Sequence, residues 1–225
     1  HWTRVWKIHG SINWYLQENK NVYRSTNLEG TDSYIIHPSH LKYDQSRKMP
    51  YLALIDRLNK FLRQNSAVLI ISGYSFSDDH LNDAILNALR ANPTAMVIAL
   101  LFGNLTKTTE EKREDGEVII NTVVNYEKAL DLAESRSNLS IWTFDEAVIG
   151  GLRAKWKPNK AEFDSEENIG NAVRTVQIAL KDSEGNETGE KNIKYEFHLG
   201  DFAVLGNFLQ ELIGKEHFKL EQNGI

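Results

Sequence analysis

Three short apolar runs, separated by segments with helical spacing, constrain the fold of this chain more than any other feature. The runs cover residues 67–71, 95–102 and 139–144, of which the third also contains Ser140 and Thr143. A continuous apolar strand such as 67–71 is typical of a sheet covered on both faces. Strands that alternate with helices form a parallel sheet joined by right-handed crossovers. The sequence therefore predicts an α/β fold built on an open parallel sheet.

The segments between these runs predict the helices. Residues 51–65 repeat apolar side chains with a helical period. A second helix is expected to begin after Ser77, a good N-cap residue, and to end before Pro93. A third helix is predicted over residues 118–135, after a charged, Thr-rich surface loop over 106–117.

The opening residues predict a strand followed by a turn. Residues 2–8 alternate in the manner of a strand, and His9 and Gly10 follow directly. Residues 17–33 are polar and favour a hairpin or an irregular insert, while 34–36 favour a short strand. Because the chain opens on a strand without an initiator Met, we expect it to begin in the middle of a domain.

The character of the sequence changes near residue 152. We therefore expect one domain over 1–151 and a small α+β appendage over 152–225. Within the appendage, residues 174–181 and 192–198 read as two strands joined by a polar loop.

A short helix capped by Asp201 is predicted to complete the appendage. Because an isolated hairpin is only marginally stable in water, this helix must pack on the hairpin, on the domain or on another chain. We expect part of it to lie at a subunit or partner interface. Its predicted apolar face consists of Phe202, Leu205, Leu209, Leu212 and Ile213.

The charge balance and the cysteine count exclude several classes of function. The sequence holds 26 Lys and Arg against 31 Asp and Glu, a net charge of −5. Such a chain has no overall attraction to nucleic acid or anionic lipid. With 0 Cys, disulfide scaffolds, thiolate zinc sites and cysteine nucleophiles are excluded. We expect a cytoplasmic protein without nucleic-acid or membrane partners.

His9 is the first candidate functional residue. It follows a predicted strand and precedes Gly10. Ligands of open α/β sheets bind at the carboxyl ends of the strands, and a glycine there allows close approach to the backbone. A neutral histidine in this position suits general-base catalysis. The alternative is a histidine that only forms hydrogen bonds with the backbone of a turn.

The turn after the strand at 67–71 is the second candidate. Gly73, Tyr74 and Ser75 can present backbone N–H groups and hydroxyls to a phosphate or a ribose. The segment matches neither a dinucleotide fingerprint nor a phosphate-binding P-loop. Asp78 would repel a phosphate on the helix axis, which favours ribose or main-chain contact. The alternative is that these residues only cap the helix that follows.

Neither a metal site nor a serine hydrolase is predicted. His37 and His40 lie in a loop that contains a proline, and no His-Glu-x-x-His spacing occurs. The segment from Gly73 to Ser77 lacks the closing glycine of a nucleophile elbow.

Three motifs together resemble the sirtuin-like domains of bacterial anti-phage defence proteins. They are Lys-Ile-His-Gly-Ser at 7–11, Ile-Ile-His-Pro at 35–38, and Ile-Ser-Gly-Tyr-Ser-Phe-Ser-Asp at 71–78. Their order matches the C-terminal half of that fold, over about residues 1–150. The resemblance implies a Rossmann-like NAD-binding domain. It also implies that the family's phosphate loop and catalytic asparagine lie upstream of residue 1.

The resemblance assigns a role to individual residues. His9 matches the catalytic histidine, which activates a ribose hydroxyl while the nicotinamide bond breaks. The segment that lines the phosphates and ribose of NAD matches Gly73, Tyr74 and Ser75. Asn104 falls near the adenosine ribose, and Asp145 near the adenine.

Departures from the family pattern refine the expected activity. Deacylating sirtuins carry a four-cysteine zinc module after the histidine, and this sequence has 0 Cys. The resemblance therefore implies an NAD glycohydrolase that forms ADP-ribose and nicotinamide, as a homo-oligomer or as the partner of a HerA-type hexameric ATPase. The alternatives are a non-catalytic module that binds NAD or ADP-ribose and an NAD-dependent protein deacylase.

Overall fold

The chain divides into two compact units in a computed structural model. One unit comprises His1–Ala67 and Asp78–Ala95, and the other comprises Val68–Ser77 and Met96–Ile225. The structure describes residues 5–17, 21–25, 33–35, 50–112, 118–157, 171–181 and 187–213.

The first unit contains a small antiparallel sheet. Strand β1 (Gly10–Leu16) lies between β2 (Val22–Arg24) and β3 (Ser33–Ile35). The backbone N–H of Gln17 donates to the carbonyl of Asn21 at 3.0 Å and closes the turn between β1 and β2. The predicted hairpin and the short strand near residue 34 are both confirmed.

The predicted strand over 2–8 is wrong within the described residues. Residues 5–7 have no regular structure, a turn follows, and β1 begins only at Gly10. Gly10 has φ +83°, and its N–H donates to the Lys7 carbonyl at 2.9 Å. This turn reverses the chain before a strand can form, so His9 precedes a strand rather than following one.

Two helices complete the described part of the first unit. Helix α1 spans Tyr51–Leu62 and α2 spans Asp79–Ala91. The chain after α2 is tied to the end of α1, because the Asn92 amide donates to the carbonyls of Leu62 and Gln64, both at 2.8 Å. Both predicted helices are confirmed, and α2 ends before Pro93 as expected.

A five-stranded sheet forms the centre of the second unit. Its order is β10-β9-β8-β5-β4, and β4, β5 and β8 are parallel. Strands β8, β9 and β10 pair antiparallel. The α/β class is confirmed, with a parallel sheet that ends in an antiparallel hairpin. The strands are β4 (Val68–Ser72), β5 (Met96–Leu100), β8 (Leu139–Trp142), β9 (Glu146–Ile149) and β10 (Leu152–Lys155).

Strand β4 differs from the prediction in its burial. Val68 and Ile70, which share one face, are 51% and 56% exposed. The prediction that this strand is covered on both faces is therefore wrong. An apolar run records the hydrophobicity of a strand but does not specify what lies over each face. The core of this sheet lies instead around Val97, Ile141 and Val148, all fully buried.

The segment between β5 and β8 is a hairpin followed by a short helix. Strands β6 (Thr106–Lys112) and β7 (Val118–Val124) pair antiparallel, and α3 spans only Glu127–Glu134. The predicted loop is wrong over 106–112, and residues 113–117 lie outside the described residues. The helix predicted over 118–135 is wrong over 118–124 and confirmed over 127–134. The β-branched residues of β7 favour a strand, and two of them, Thr122 and Val124, pair with the threonines Thr108 and Thr106 of β6.

The C-terminal part contains a second hairpin and a helix. Strands β11 (Val173–Lys181) and β12 (Glu187–Phe197) pair antiparallel and precede α4 (Phe202–Ile213). Asp201 caps α4 as predicted, because its Oδ1 accepts from the N–H of Ala203 at 2.9 Å.

The packing face of α4 is not the predicted one. Val204 is buried with Leu100 and Leu199, and Leu205 and Phe208 pack against this cluster. Four residues of the predicted face are exposed instead: Phe202, Leu209, Leu212 and Ile213. Fewer apolar residues of α4 therefore pack against the rest of its unit than the sequence of the helix predicts. None of the described helices is long and apolar enough to cross a membrane.

The boundary predicted at residue 152 stays a prediction. The main sheet itself continues past that position, because Arg153 in β10 pairs with Val148 in β9. Trp156 extends this attachment, since its indole N–H donates to the Thr143 carbonyl at 2.8 Å.

Candidate functional site

His9 lies in the turn before β1, beside the carboxylate of Asp78. Its Nε2 is 3.3 Å from Asp78 Oδ2. The His9 side chain is 38% exposed, whereas the Asp78 side chain is only 6% exposed. The imidazole therefore has one nitrogen against a buried negative charge, while part of the ring remains accessible to a substrate.

Asp78 is held by the first turn of α2. Its Oδ1 accepts from the backbone N–H groups of His80 and Leu81 at 3.1 and 3.2 Å. The extended backbone at Asp78 (φ −95°, ψ 100°) is typical of an N-cap residue. The prediction of Ser77 as the cap is wrong by one position, because the carboxylate of Asp78 reaches both amides. These two bonds fix the direction in which Oδ2 points.

The predicted nucleotide-binding turn lines a cavity of about 230 Å³ in the second unit. The turn follows β4, and the other wall of the cavity is the end of β5 together with the residue before α3. This is the carboxyl edge of the parallel strands, where open α/β sheets bind their ligands. The lining residues are Gly73, Tyr74, Ser75, Leu100, Leu101, Phe102 and Tyr126.

The backbone of this turn adopts two left-handed conformations. Gly73 has φ +71° and Phe76 has φ +59°. A non-glycine residue in this region stores about 1–3 kcal/mol of strain, and such residues cluster at functional sites. Phe76 is held there because it is buried and its ring packs 4.9 Å from that of Tyr74.

Two features of the turn fit a bound ligand such as a nucleotide. Apart from the neighbours of Gly73 in the chain, no atom of the described residues lies within 4 Å of the position that a Cβ on Gly73 would take, so the backbone there is open. The Ser72 hydroxyl is buried without a hydrogen-bond partner in the described part of the chain. The cavity is smaller than the ~300–1,000 Å³ typical of pockets that enclose a whole ligand of drug size. It can therefore surround only a part of NAD.

Tyr126 is a wall of this cavity that the sequence did not reveal. Its hydroxyl donates to the Phe102 carbonyl at 2.7 Å, and burial raises the pKa of Tyr126. The phenol therefore stays protonated at neutral pH and holds the backbone at the end of β5. The sequence carried no signal for this role, because Tyr126 fell inside a predicted helix.

The family comparison covers the part of the chain that contains His9, Gly73 and Asp78. The model of the SIR2-like domain matches residues 1–123, more than half of the chain. The chain belongs to the SIR2-like domain family. Members of this family use NAD as a substrate, which makes this a domain of NAD-related function. No curated protein matches the chain.

The SIR2-like resemblance also assigned Asn104 and Asp145, and neither of them lines the cavity. Asp145 is buried, and its Oδ1 accepts from the Leu105 N–H at 2.9 Å and the Thr143 hydroxyl at 3.0 Å. The carbonyl of Asn104 accepts from the Asn125 amide at 2.8 Å. Both are anchored to neighbouring loops, and their contact with NAD stays a prediction.

The SIR2-like chain shows no metal cluster in its described residues. No group of three or more His, Asp and Glu side chains gathers there. His37 and His40 lie outside the described residues.

Proposed function

We propose that this SIR2-like chain is an NAD glycohydrolase, which converts NAD and water to ADP-ribose and nicotinamide. The observation that carries the proposal is the accessible His9 ring, held against the buried carboxylate of Asp78. The absence of cysteine supports hydrolysis over deacylation, because the zinc module of deacylating sirtuins is built on cysteines.

In this reaction the bond between ribose C1′ and the nicotinamide nitrogen breaks, and its electron pair leaves with nicotinamide. The oxygen of water forms the new bond to C1′. His9 accepts the proton released by a ribose hydroxyl or by the water, as a general base does. Gly73, Tyr74 and Ser75 hold the ribose and phosphates, which aligns the scissile bond.

The test is His9→Ala in the full-length protein, followed by nicotinamide release. We expect release to fall by about 10²–10⁴-fold, the usual contribution of a positioned general base. The fold should be retained, since His9 lies in a turn and is 38% exposed. Normal turnover in a folded His9→Ala protein would remove His9 from the mechanism.

A second arm of the same experiment separates the alternative functions. NAD is incubated with the wild-type protein, with and without an acylated peptide. Cleavage without peptide supports the hydrolase, and cleavage that depends on the peptide supports the deacylase. Binding of NAD without cleavage would identify a non-catalytic module.

We further propose that the appendage links this activity to assembly in anti-phage defence, as a homo-oligomer or with a HerA-type ATPase. The support is the exposed apolar surface of α4, which includes Phe202, Leu209 and Leu212. The variant Leu209→Glu/Leu212→Glu should lower the mass measured by light scattering, alone or with the ATPase. Leu152→Glu is the control, because Leu152 is an exposed leucine that lies in β10 rather than in α4. An unchanged assembly would exclude this surface.

A further inference from the structure

The contact between His9 and Asp78 distinguishes the two nitrogens of the imidazole ring. A neutral histidine carries its proton on one nitrogen and offers a lone pair on the other. Nε2 lies 3.3 Å from the carboxylate oxygen Oδ2. A carboxylate beside Nε2 stabilises the tautomer in which Nε2 bears the proton. The lone pair then belongs to Nδ1, which forms no hydrogen bond within the described residues.

We propose that Asp78 is a positioning residue, which keeps the proton of His9 on Nε2 and leaves Nδ1 as the base nitrogen. This rests on the proposed function for its catalytic meaning. The proton released by the ribose hydroxyl or by water moves to Nδ1, and the ring becomes an imidazolium. The carboxylate of Asp78 stabilises that positive charge and does not itself take the proton.

The geometry assigns Asp78 more than the capping of a helix. A cap needs a single acceptor atom, and Oδ1 fills that role with the amides of His80 and Leu81. Serine and asparagine cap helices as well as aspartate does. The second oxygen, Oδ2, meets His9. Because the Asp78 side chain is only 6% exposed, water screens its interaction with His9 poorly. The two capping hydrogen bonds fix the orientation of the carboxylate before any substrate binds.

The test compares Asp78→Asn with Asp78→Ser in the full-length protein. Asparagine keeps the capping oxygen and the shape of the side chain but can place an N–H₂ group against Nε2. That group donates a hydrogen bond, so it forces the proton of His9 onto Nδ1 and removes the base. Serine keeps a cap but is too short to reach Nε2, so it leaves the tautomer unspecified.

The first readout is the ¹⁵N chemical shifts of the His9 ring, identified by their loss in His9→Ala. We expect the Nε2-protonated tautomer in the wild type, the Nδ1-protonated tautomer in Asp78→Asn, and a mixture in Asp78→Ser. The second readout is nicotinamide release. We expect kcat to fall by about 10²–10⁴-fold in Asp78→Asn with KM nearly unchanged, and to fall less in Asp78→Ser.

Asp201→Asn is the matched control. Asp201 also caps a helix through Oδ1, with the N–H of Ala203 at 2.9 Å, so this variant repeats the chemical change at a cap in the other unit. It should leave the His9 ring shifts and kcat unchanged.

A wild-type ring with its proton on Nδ1, or an unaltered tautomer in Asp78→Asn, would overturn the proposal. The same loss of kcat in both Asp78 variants with unaltered ring shifts would reduce Asp78 to a structural cap and also overturn it. If the shifts change as expected while the wild type releases no nicotinamide, the positioning of His9 is supported and the proposed hydrolysis fails.

Discussion

Replacing Gly73 with valine separates the effect of backbone strain from the effect on NAD binding. Gly73 has φ +71°, and apart from its chain neighbours no atom of the described residues lies within 4 Å of the position that a Cβ would occupy. The new Cβ therefore meets no steric clash with these residues, and the main cost to stability is that of the left-handed backbone. For a non-glycine residue this cost is about 1–2 kcal/mol, near the upper end for a β-branched side chain. In a chain of this size it lowers the Tm by roughly 2–8 °C.

The effect of Gly73→Val on NAD binding should be larger than its effect on stability. The valine methyl groups stand at the wall of a cavity of only about 230 Å³, where we propose that the ribose and phosphates bind. They block the approach of NAD to the backbone. We expect Kd for NAD to rise by at least about tenfold, equivalent to about 1.4 kcal/mol of lost binding free energy.

Gly150→Val provides the control for this experiment. Gly150 has φ +64° and does not line the cavity, and apart from its chain neighbours no atom in the described part of the chain lies within 4 Å of its own Cβ position. Urea unfolding should show a similar loss of stability in both variants. Calorimetric titration should show weaker NAD binding only in Gly73→Val. Equal NAD affinity in the two folded variants would show that the turn after β4 only leads into a helix and does not bind the nucleotide.

Two further predictions concern polar side-chain contacts in the second unit. Arg153→Met should cost about 2 kcal/mol of unfolding free energy. The guanidinium donates to the buried carboxylate of Glu146, and this hydrogen bond raises the pKa of Arg153. The cost lies below the ~3–5 kcal/mol of a fully buried pair because Arg153 is partly exposed. Urea unfolding measures it, and a double variant with Glu146→Gln should recover part of the loss. Tyr126→Phe should cost about 0.5–1.5 kcal/mol below pH 10, through the lost hydrogen bond to Phe102. Because the pKa of Tyr126 is raised in the folded chain, the advantage of the wild type should shrink as the pH rises from about 10 through the folded-state value. A difference in unfolding free energy that is the same at pH 8 and pH 11 would contradict this assignment.

The parallel strands could be predicted from the sequence because each is marked by the apolar residues of its own short segment. Uninterrupted apolar residues at 67–71 and 95–102 overlap β4 and β5, and the largely apolar segment 139–144 overlaps β8. Strand β7 was not readable in this way. Its apolar residues satisfy a helical face as well as a strand, and the deciding contact is the pairing with β6, as at Thr108 and Thr122.

The sequence predicts which residues form the candidate site, but it does not predict how they are arranged. His9 and Gly73 were identified from motifs and from the resemblance to a family. The position of His9 before a strand depends on the turn that Gly10 makes at φ +83°, and residue alternation does not record that turn. The contact between His9 and Asp78 joins residues far apart in the sequence. Aspartate is also an ordinary capping residue, so its residue type alone does not indicate that Asp78 has a second role.

Asp78 contacts both the first turn of α2 and the imidazole of His9, so local opening of this turn also changes the environment of His9. The carboxylate is oriented by the amides of His80 and Leu81, so every opening of the first turn of α2 also releases the partner of the imidazole. Helix ends open locally far more often than whole domains unfold. In the proposed mechanism, this local equilibrium sets the fraction of molecules in which His9 is positioned for reaction. A ligand or a partner chain that stabilises the turn is then expected to raise turnover without contacting NAD. Hydrogen exchange at the His80 and Leu81 amides would measure that fraction directly.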